Sequence, residues 1–437
     1  MTIIIKKLLI RNYRSLLLTL FVITLIGGSF MLEFRVAGVT FYAFRVFLLA
    51  GLLFLLFKKQ LVFYTNTVSK YSFFLLITWL VYACLSLLWC LDRTAAFKDI
   101  LYLLFAIATF VFLVSLKKGY TDFGKELAAA WTMVFIVVLL VSVWEMYTAN
   151  HLVSNFTSRL YMLKPFHKLN YVPVFTFDNS NHFSIYCCLS VIIFFGLILK
   201  KQQAALSGFL IACSLFIIHL SQARFAVITV CLFLVLIVLY AYIKRKQHDL
   251  GKAFVSIGKF ILIAVFLTGS VFCFHAYENV HEKIVTPADI TPDDHLPSSV
   301  LRRNLLNNGW EFFKTSKGLG VGAGNYQPYT QATPGLAETD GIDTPHNWPM
   351  EILSQYGILI TLLFFALFVY ILFVIWRSVQ RAGIREQHLQ LLLLLVCYAI
   401  MSNANSIFMP LPLNWFMFSL IVMYADEFLE NKERTDA

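Results

Sequence analysis

Long apolar stretches alternate with short polar connections along almost the whole chain. They cover residues 15–31, 39–57, 73–91, 100–116, 127–147, 183–199, 206–220, 226–243, 260–274, 349–376, 389–408 and 413–425. Most approach the roughly 20 residues that cross a hydrocarbon core about 30 Å thick. None shows the period-two alternation of a membrane β-barrel strand. A bilayer offers no partners to bare backbone groups, so each stretch must satisfy its own, which only a helix does. The pattern predicts an all-α, polytopic membrane protein of about 12 transmembrane helices with a large outer loop between late spans.

Composition sharpens this reading. Of 437 residues, 59% are hydrophobic and 14% charged, against about 25% charged in a soluble domain. The net charge of +11 could suggest nucleic acid, but its distribution says otherwise. Lys6, Lys7, Arg11 and Arg14 precede the first span. Lys58, Lys59 and Lys70, then Lys117, Lys118 and Lys125, then Lys200 and Lys201, then Lys244, Arg245, Lys246 and Lys252, and finally Arg377, Arg381 and Arg385 fall in every second connection. Short basic connections stay in the cytoplasm, so both termini are predicted there. No basic soluble domain is left to bind nucleic acid. All eight cysteines fall within or beside apolar stretches with no zinc-like spacing, and read as small hydrophobes. The first span shows no small-residue cleavage site and reads as uncleaved.

Three regions follow: 1–274, helices 1–9 with an outer loop near 148–182; 275–348, a large extracytoplasmic loop subdomain; and 349–437, helices 10–12 with a cytoplasmic tail. Loops of such length are usually functional or disordered. The second contains a predicted amphipathic helix over 302–314, with Leu305, Leu306, Trp310 and Phe313 near one face. Gly318, Gly320, Gly322 and Gly324 follow it. Their spacing lacks the βαβ setting of a dinucleotide site and reads as a tight extended turn that admits close backbone approach.

Candidate chemistry gathers in these outer segments. His346 stands where the late loop re-enters the membrane. Asn347 suits an N-cap and Pro349 a first helical turn, with Trp348 as an interfacial aromatic. An imidazole there can take a proton from a hydroxyl near neutral pH, or simply cap the helix and bond a loop carbonyl. Glu351 and Ser354 lie on one face beyond it. A carboxylate inside a span usually marks a site or polar pathway, although the helix dipole alone favours an acid in the first turn. Arg224 opens a span on the outer side. It can bind phosphate through its planar fork or snorkel to the interface. Arg302 and Arg303 lie on the same side. Arg45, inside the second span, is either a substrate contact or the partner of Glu33 or Asp92. Asp293 and Asp294 read as a solvated turn, and no metal is required. Several outer arginines point to an anionic substrate, for which a lipid diphosphate suits the location, because guanidinium groups stabilise a diphosphate leaving group.

At these residues the chain resembles the O-antigen ligase and polysaccharide polymerase superfamily of bacterial membrane proteins, in its teichuronic-acid-polymerase-like branch. Arg302 with Leu306 is similar to the family's R-x3-L pattern, His346 with Gly357 to its H-x10-G pattern, and Arg224 to its arginine at the outer start of a middle span. The glycine run and the segment from Phe177 to His182 resemble that branch, with a histidine where a small or acidic residue is usual. The resemblance implies a C-type-glycosyltransferase-like fold and metal-independent, inverting transfer from an undecaprenyl-diphosphate-linked glycan, without nucleotide sugar or cofactor. It assigns Arg224 and Arg302 to the diphosphate and His346 to the acceptor hydroxyl, as the catalytic set. Arg303, Arg45, Asn347, Glu351 and Trp310 complete the substrate-binding candidates. The implied partners are the lipid-linked glycan, an acceptor glycan or glycolipid, the bilayer and a chain-length regulator. Polymerisation of repeat units is the first reading, through the glycine-rich segment; ligation to lipid A core is the second; a transporter without chemistry is the third. Transporters place broken helices near the midplane, whereas polar residues here gather at one face.

Overall fold

The computed structural model describes residues 2–36, 39–148, 150–152, 172–177, 180–221, 223–245, 298–333, 335–339, 341–403 and 408–435. The expected span over 260–274, and Asp293 and Asp294, lie outside these residues.

The apolar stretches become helices α1 (Thr2–Gly27), α2 (Ala43–Phe57), α3 (Thr67–Leu85), α4 (Arg93–Lys117), α5 (Phe123–Thr148), α6 (Ser180–Leu199), α7 (Ala204–Leu220) and α8 (Arg224–Arg245). The late loop adds α9 (Ser298–Thr315) and α10 (Tyr326–Ala332), followed by α11 (Trp348–Ala382), α12 (Glu386–Met401) and α13 (Pro412–Thr435). A short hairpin of β1 (Glu33–Val36) and β2 (Val39–Tyr42), with Glu33 opposite Tyr42, joins α1 to α2. Among the described residues, six helical segments are long and apolar enough to cross a membrane, Thr67–Leu88, Arg93–Lys117, Phe123–Thr148, Ser180–Leu199, Arg224–Arg245 and Trp348–Ala382, and four shorter apolar helices accompany them. The chain is a multi-pass membrane protein.

α6 lies innermost. Every residue from Phe183 to Leu197 is buried, the all-round burial of a helix enclosed by others; α5, α7, α8 and α12 surround it. Two of its serines are bonded within the bundle: Trp131 Nε1 donates to Ser190 Oγ at 2.9 Å, and Ser184 Oγ bonds Ser221 Oγ at 2.6 Å. At the end carrying the basic connections, Lys200 pairs with Asp122 at 2.9 Å and Lys244 with Glu386.

The opposite end is tied by local chemistry. Glu145 is fully buried and accepts from the backbone N–H groups of Val174 and Phe175, both at 2.9 Å, fastening the first long loop to α5. Asp92 caps α4 through Thr94 N at 2.7 Å and Ala95 N at 3.1 Å.

The glycine run has a structural task. It lies against α11 where that helix is interrupted at Gly357 (φ 69°, ψ −171°). Val321 N donates to Ser354 O at 2.8 Å, Gly322 N to Gln355 O at 2.9 Å, and Ile358 N to Gly318 O at 3.0 Å. The run thus supplies partners for backbone groups that the break releases, which a buried backbone requires. A Cβ on Gly320 would stand 2.6 Å from the Gln355 backbone, and one on Gly357 2.3 Å from Gly318 O. The approach expected of these glycines is therefore made to another helix.

The predicted helix over 302–314 is present within α9, but its buried face is rotated. Leu305, Asn308, Gly309 and Phe312 point inward, whereas Trp310 is 47% exposed. Two features override the apolar count. Asn308 exchanges two backbone hydrogen bonds with Ala337, each of 2.9 Å, and Gly309 leaves room for Met350.

Candidate active site

The re-entry into α11 sets the site. Asn347 is the N-cap, accepting from Met350 N at 2.9 Å, and its amide donates to Asn403 Oδ1 at 2.6 Å. Trp348 does not sit at an interface. It is 2% exposed, its backbone N–H donates to Ser402 O at 2.9 Å, and its ring stacks on Phe408 at 3.7 Å. With the chain fixed on that side and Pro345 on the other, His346 is held at φ 48°, a left-handed backbone rarely adopted by residues with a Cβ. Such strain persists only where the surroundings over-determine it, and it clusters at functional sites.

The imidazole of His346 is half-buried. Burial, and after it the positive charge of Arg302, hold its pKa below the ordinary histidine value. Arg302 comes from α9, and its guanidinium lies 4.9 Å above the ring of Phe225, the second residue of α8. A second imidazole, His182 at the start of α6, also interacts electrostatically with His346. Three elements and a loop therefore meet at one mouth: α6 with His182, α8 with Phe225, α9 with Arg302, and His346 before α11. The unprotonated imidazole can accept a proton, and the guanidinium can hold an anion beside it.

The other sequence candidates fall variously around this mouth. Arg224 is exposed and opens α8, one position before Phe225. Arg303 is exposed beside Arg302. Trp310 packs tilted against Phe313, ring centroids 5.2 Å apart, about 12 Å along α9 from Arg302 at 1.5 Å per residue. Arg45 is 4% exposed in the first turn of α2, bonded to Thr40 O and caged by Tyr42, Tyr102 and Phe105 at 4.6, 4.7 and 5.0 Å. Neither Glu33 nor Asp92 pairs with it: Glu33 faces Arg35 at 4.0 Å, and Asp92 caps α4. Glu351 is buried, accepts from Phe408 N at 3.4 Å, and interacts with Asp99.

Asp99 is the acid missed in the sequence. It is buried in α4 and receives the Tyr356 hydroxyl. The expected span begins at residue 100, one position past Asp99; the Asp92 cap starts α4 earlier, at Arg93, and carries the helix through Asp99. An ionisable group within a span was the signal available. Among the described residues, no group of three or more His, Cys, Asp or Glu side chains is placed to hold a metal ion. Beside the Asn347 cap, a largely apolar cavity of about 290 Å³ opens between α11 and α12, lined by Trp348, Phe364, Phe365, Phe368 and Tyr398.

Fold and mouth together define a multi-pass membrane protein with its imidazole and buried carboxyl groups gathered at one end of a helix bundle. Residues 188–365 match the family model described as O-antigen ligase. Over 359 residues, 79% of this chain and 69% of the other, the sequence is 28% identical to the teichuronic acid biosynthesis protein TuaE of Bacillus subtilis (strain 168). Over the matched residues, these likenesses point to the O-antigen ligase and polysaccharide polymerase superfamily.

Proposed function

We propose that this protein transfers a glycan from an undecaprenyl-diphosphate-type lipid to an acceptor glycan at the outer face of a bacterial cytoplasmic membrane, polymerising repeat units of a surface polysaccharide. The observation that carries the reading is the meeting of Arg302 and His346, from separate elements, beside the start of α8.

The reaction divides among these groups as follows. Arg302, with Arg224 and Arg303 at the rim, binds the diphosphate. His346 accepts the proton of the acceptor hydroxyl. The acceptor oxygen bonds to the anomeric carbon as the bond from that carbon to the phosphate oxygen breaks. The electron pair leaves on the diphosphate, where the guanidinium groups stabilise it, and attack from the opposite face inverts the anomeric configuration. The apolar cavity between α11 and α12 offers the polyprenyl tail a place beside the reacting head group. Extracytoplasmic placement rests on the basic connections at the other end of the bundle.

The likeness to a teichuronic acid biosynthesis protein supports a part in polysaccharide assembly, of which polymerisation is the first reading. The family description keeps a second reading, in which the glycan passes once to a different glycolipid. Incubating the purified protein with one defined lipid-linked repeat unit tests both. A ladder on a gel is expected. A single transfer to an added glycolipid, with no ladder, would establish ligation, and no product under either condition would remove glycan transfer.

A further inference from the structure

Among the described residues, His346, read as the base, has no side-chain partner of the kind a base normally has. An imidazole takes a proton on one nitrogen, and the group held by its other nitrogen fixes the tautomer and the ring's aim. In many sites that group is a carboxylate. The buried carboxylate nearest in sequence, Glu351, is engaged with Phe408 N and with Asp99 on α4.

His182 stands in the right place. It lies two residues before Ser184, whose hydroxyl bonds Ser221 next to the start of α8. Phe225 of that same helix start carries the Arg302 guanidinium. His182 Nε2 is buried and, among the described residues, has no hydrogen-bond partner. A buried polar atom without a partner is rare and requires an explanation. The imidazole of His346, with which His182 interacts electrostatically, can supply one.

We propose that His182 is a positioning residue for His346: its Nε2 hydrogen-bonds the His346 ring in the working arrangement, fixing which His346 nitrogen faces the acceptor hydroxyl. The pair is imidazole to imidazole, one nitrogen donating and the other accepting, so it orients the base without adding a negative charge beside the diphosphate. His182 lies outside the residues matched by the family model, so that match assigns it nothing. The proposal rests on the reading of His346 as the base.

The test uses full-length protein labelled with 15N-histidine, as wild type, His182→Ala and His182→Gln. His346 is assigned by comparison with His346→Ala, and all variants are checked for a single monodisperse, folded species. The 15N shifts are expected to show one His346 tautomer in wild type, a mixture in His182→Ala, and recovery in His182→Gln, whose amide can donate or accept. With a defined lipid-linked repeat, His182→Ala should lower kcat about 10–100-fold, as loss of an orienting partner does, with KM unchanged and partial recovery in His182→Gln. An unchanged tautomer in His182→Ala would overturn the pairing, as would a change confined to KM. Tautomer changes in a wild type that makes no glycan product would sink the transfer reading and leave the pairing intact.

Discussion

His346 concentrates the chemistry in one side chain, and its surroundings give a sign that can be checked. Burial and the Arg302 charge both disfavour the imidazolium. The free enzyme should therefore keep kcat/KM constant as pH falls to the ordinary histidine value of about 6.5, and lose it only below that. Removing the positive neighbour in Arg302→Gln favours the imidazolium, so the acid limb of its smaller kcat/KM should move to higher pH. An acid limb already complete above that value in wild type would place the base elsewhere. Arg224 makes a second prediction. Lysine keeps the charge but loses the planar fork, so Arg224→Lys should weaken binding of a lipid diphosphate about tenfold or more, as loss of a charge-assisted hydrogen bond does. Titration of the purified variant measures this, and wild-type affinity would leave Arg224 as an interfacial residue. Asn347 and Arg45 show the limit of reading single residues from sequence. A cap and a caged arginine have the same residue types as ligand contacts, and only their partners, Met350 N for one and three aromatic rings for the other, tell them apart.

The broken helix α11 and its glycine strap hold His346 relative to the bundle. Gly320 combines a φ of 79° with backbone contact to α11, whereas Gly335 has a φ of 77° with nothing within 4 Å. Gly335→Ala should cost only backbone strain, roughly 1–3 kcal/mol. Gly320→Ala adds a clash with immovable backbone and should cost several kcal/mol more, read as a larger drop in the thermal midpoint of the detergent-solubilised protein. Equal drops would mean that the strap does not bear on α11. Much here was legible from the sequence. Apolar length marked the helices but not their number as spans, since six described helices rather than 12 are long and apolar enough to cross, and the histidine-to-glycine spacing marked the stretch from His346 to the break. The break itself was not, because nothing local to Gly357 forbids helix; it exists because the backbone from 318 to 322 occupies the gap. The face of α9 was also misplaced, since apolar periodicity cannot foresee that Asn308 buries itself by pairing with Ala337.

Over the full bundle, chain alternation does what no single helix can. Each crossing returns the basic connections to one end, leaving Arg302, His346 and His182 to meet at the other. Their proximity was not readable, because it joins α6, α9 and the entry to α11 across long sequence separation; only the shared outer side was. The central claim is that this mouth is where glycan is transferred, and one measurement addresses it most directly: product formation from a defined lipid-linked repeat by purified wild type and by His346→Ala of equal thermal stability. Wild type should give a ladder, and His346→Ala should fall by about 10²–10⁴-fold, the usual contribution of a positioned base. A ladder of wild-type rate and length from His346→Ala would contradict the claim.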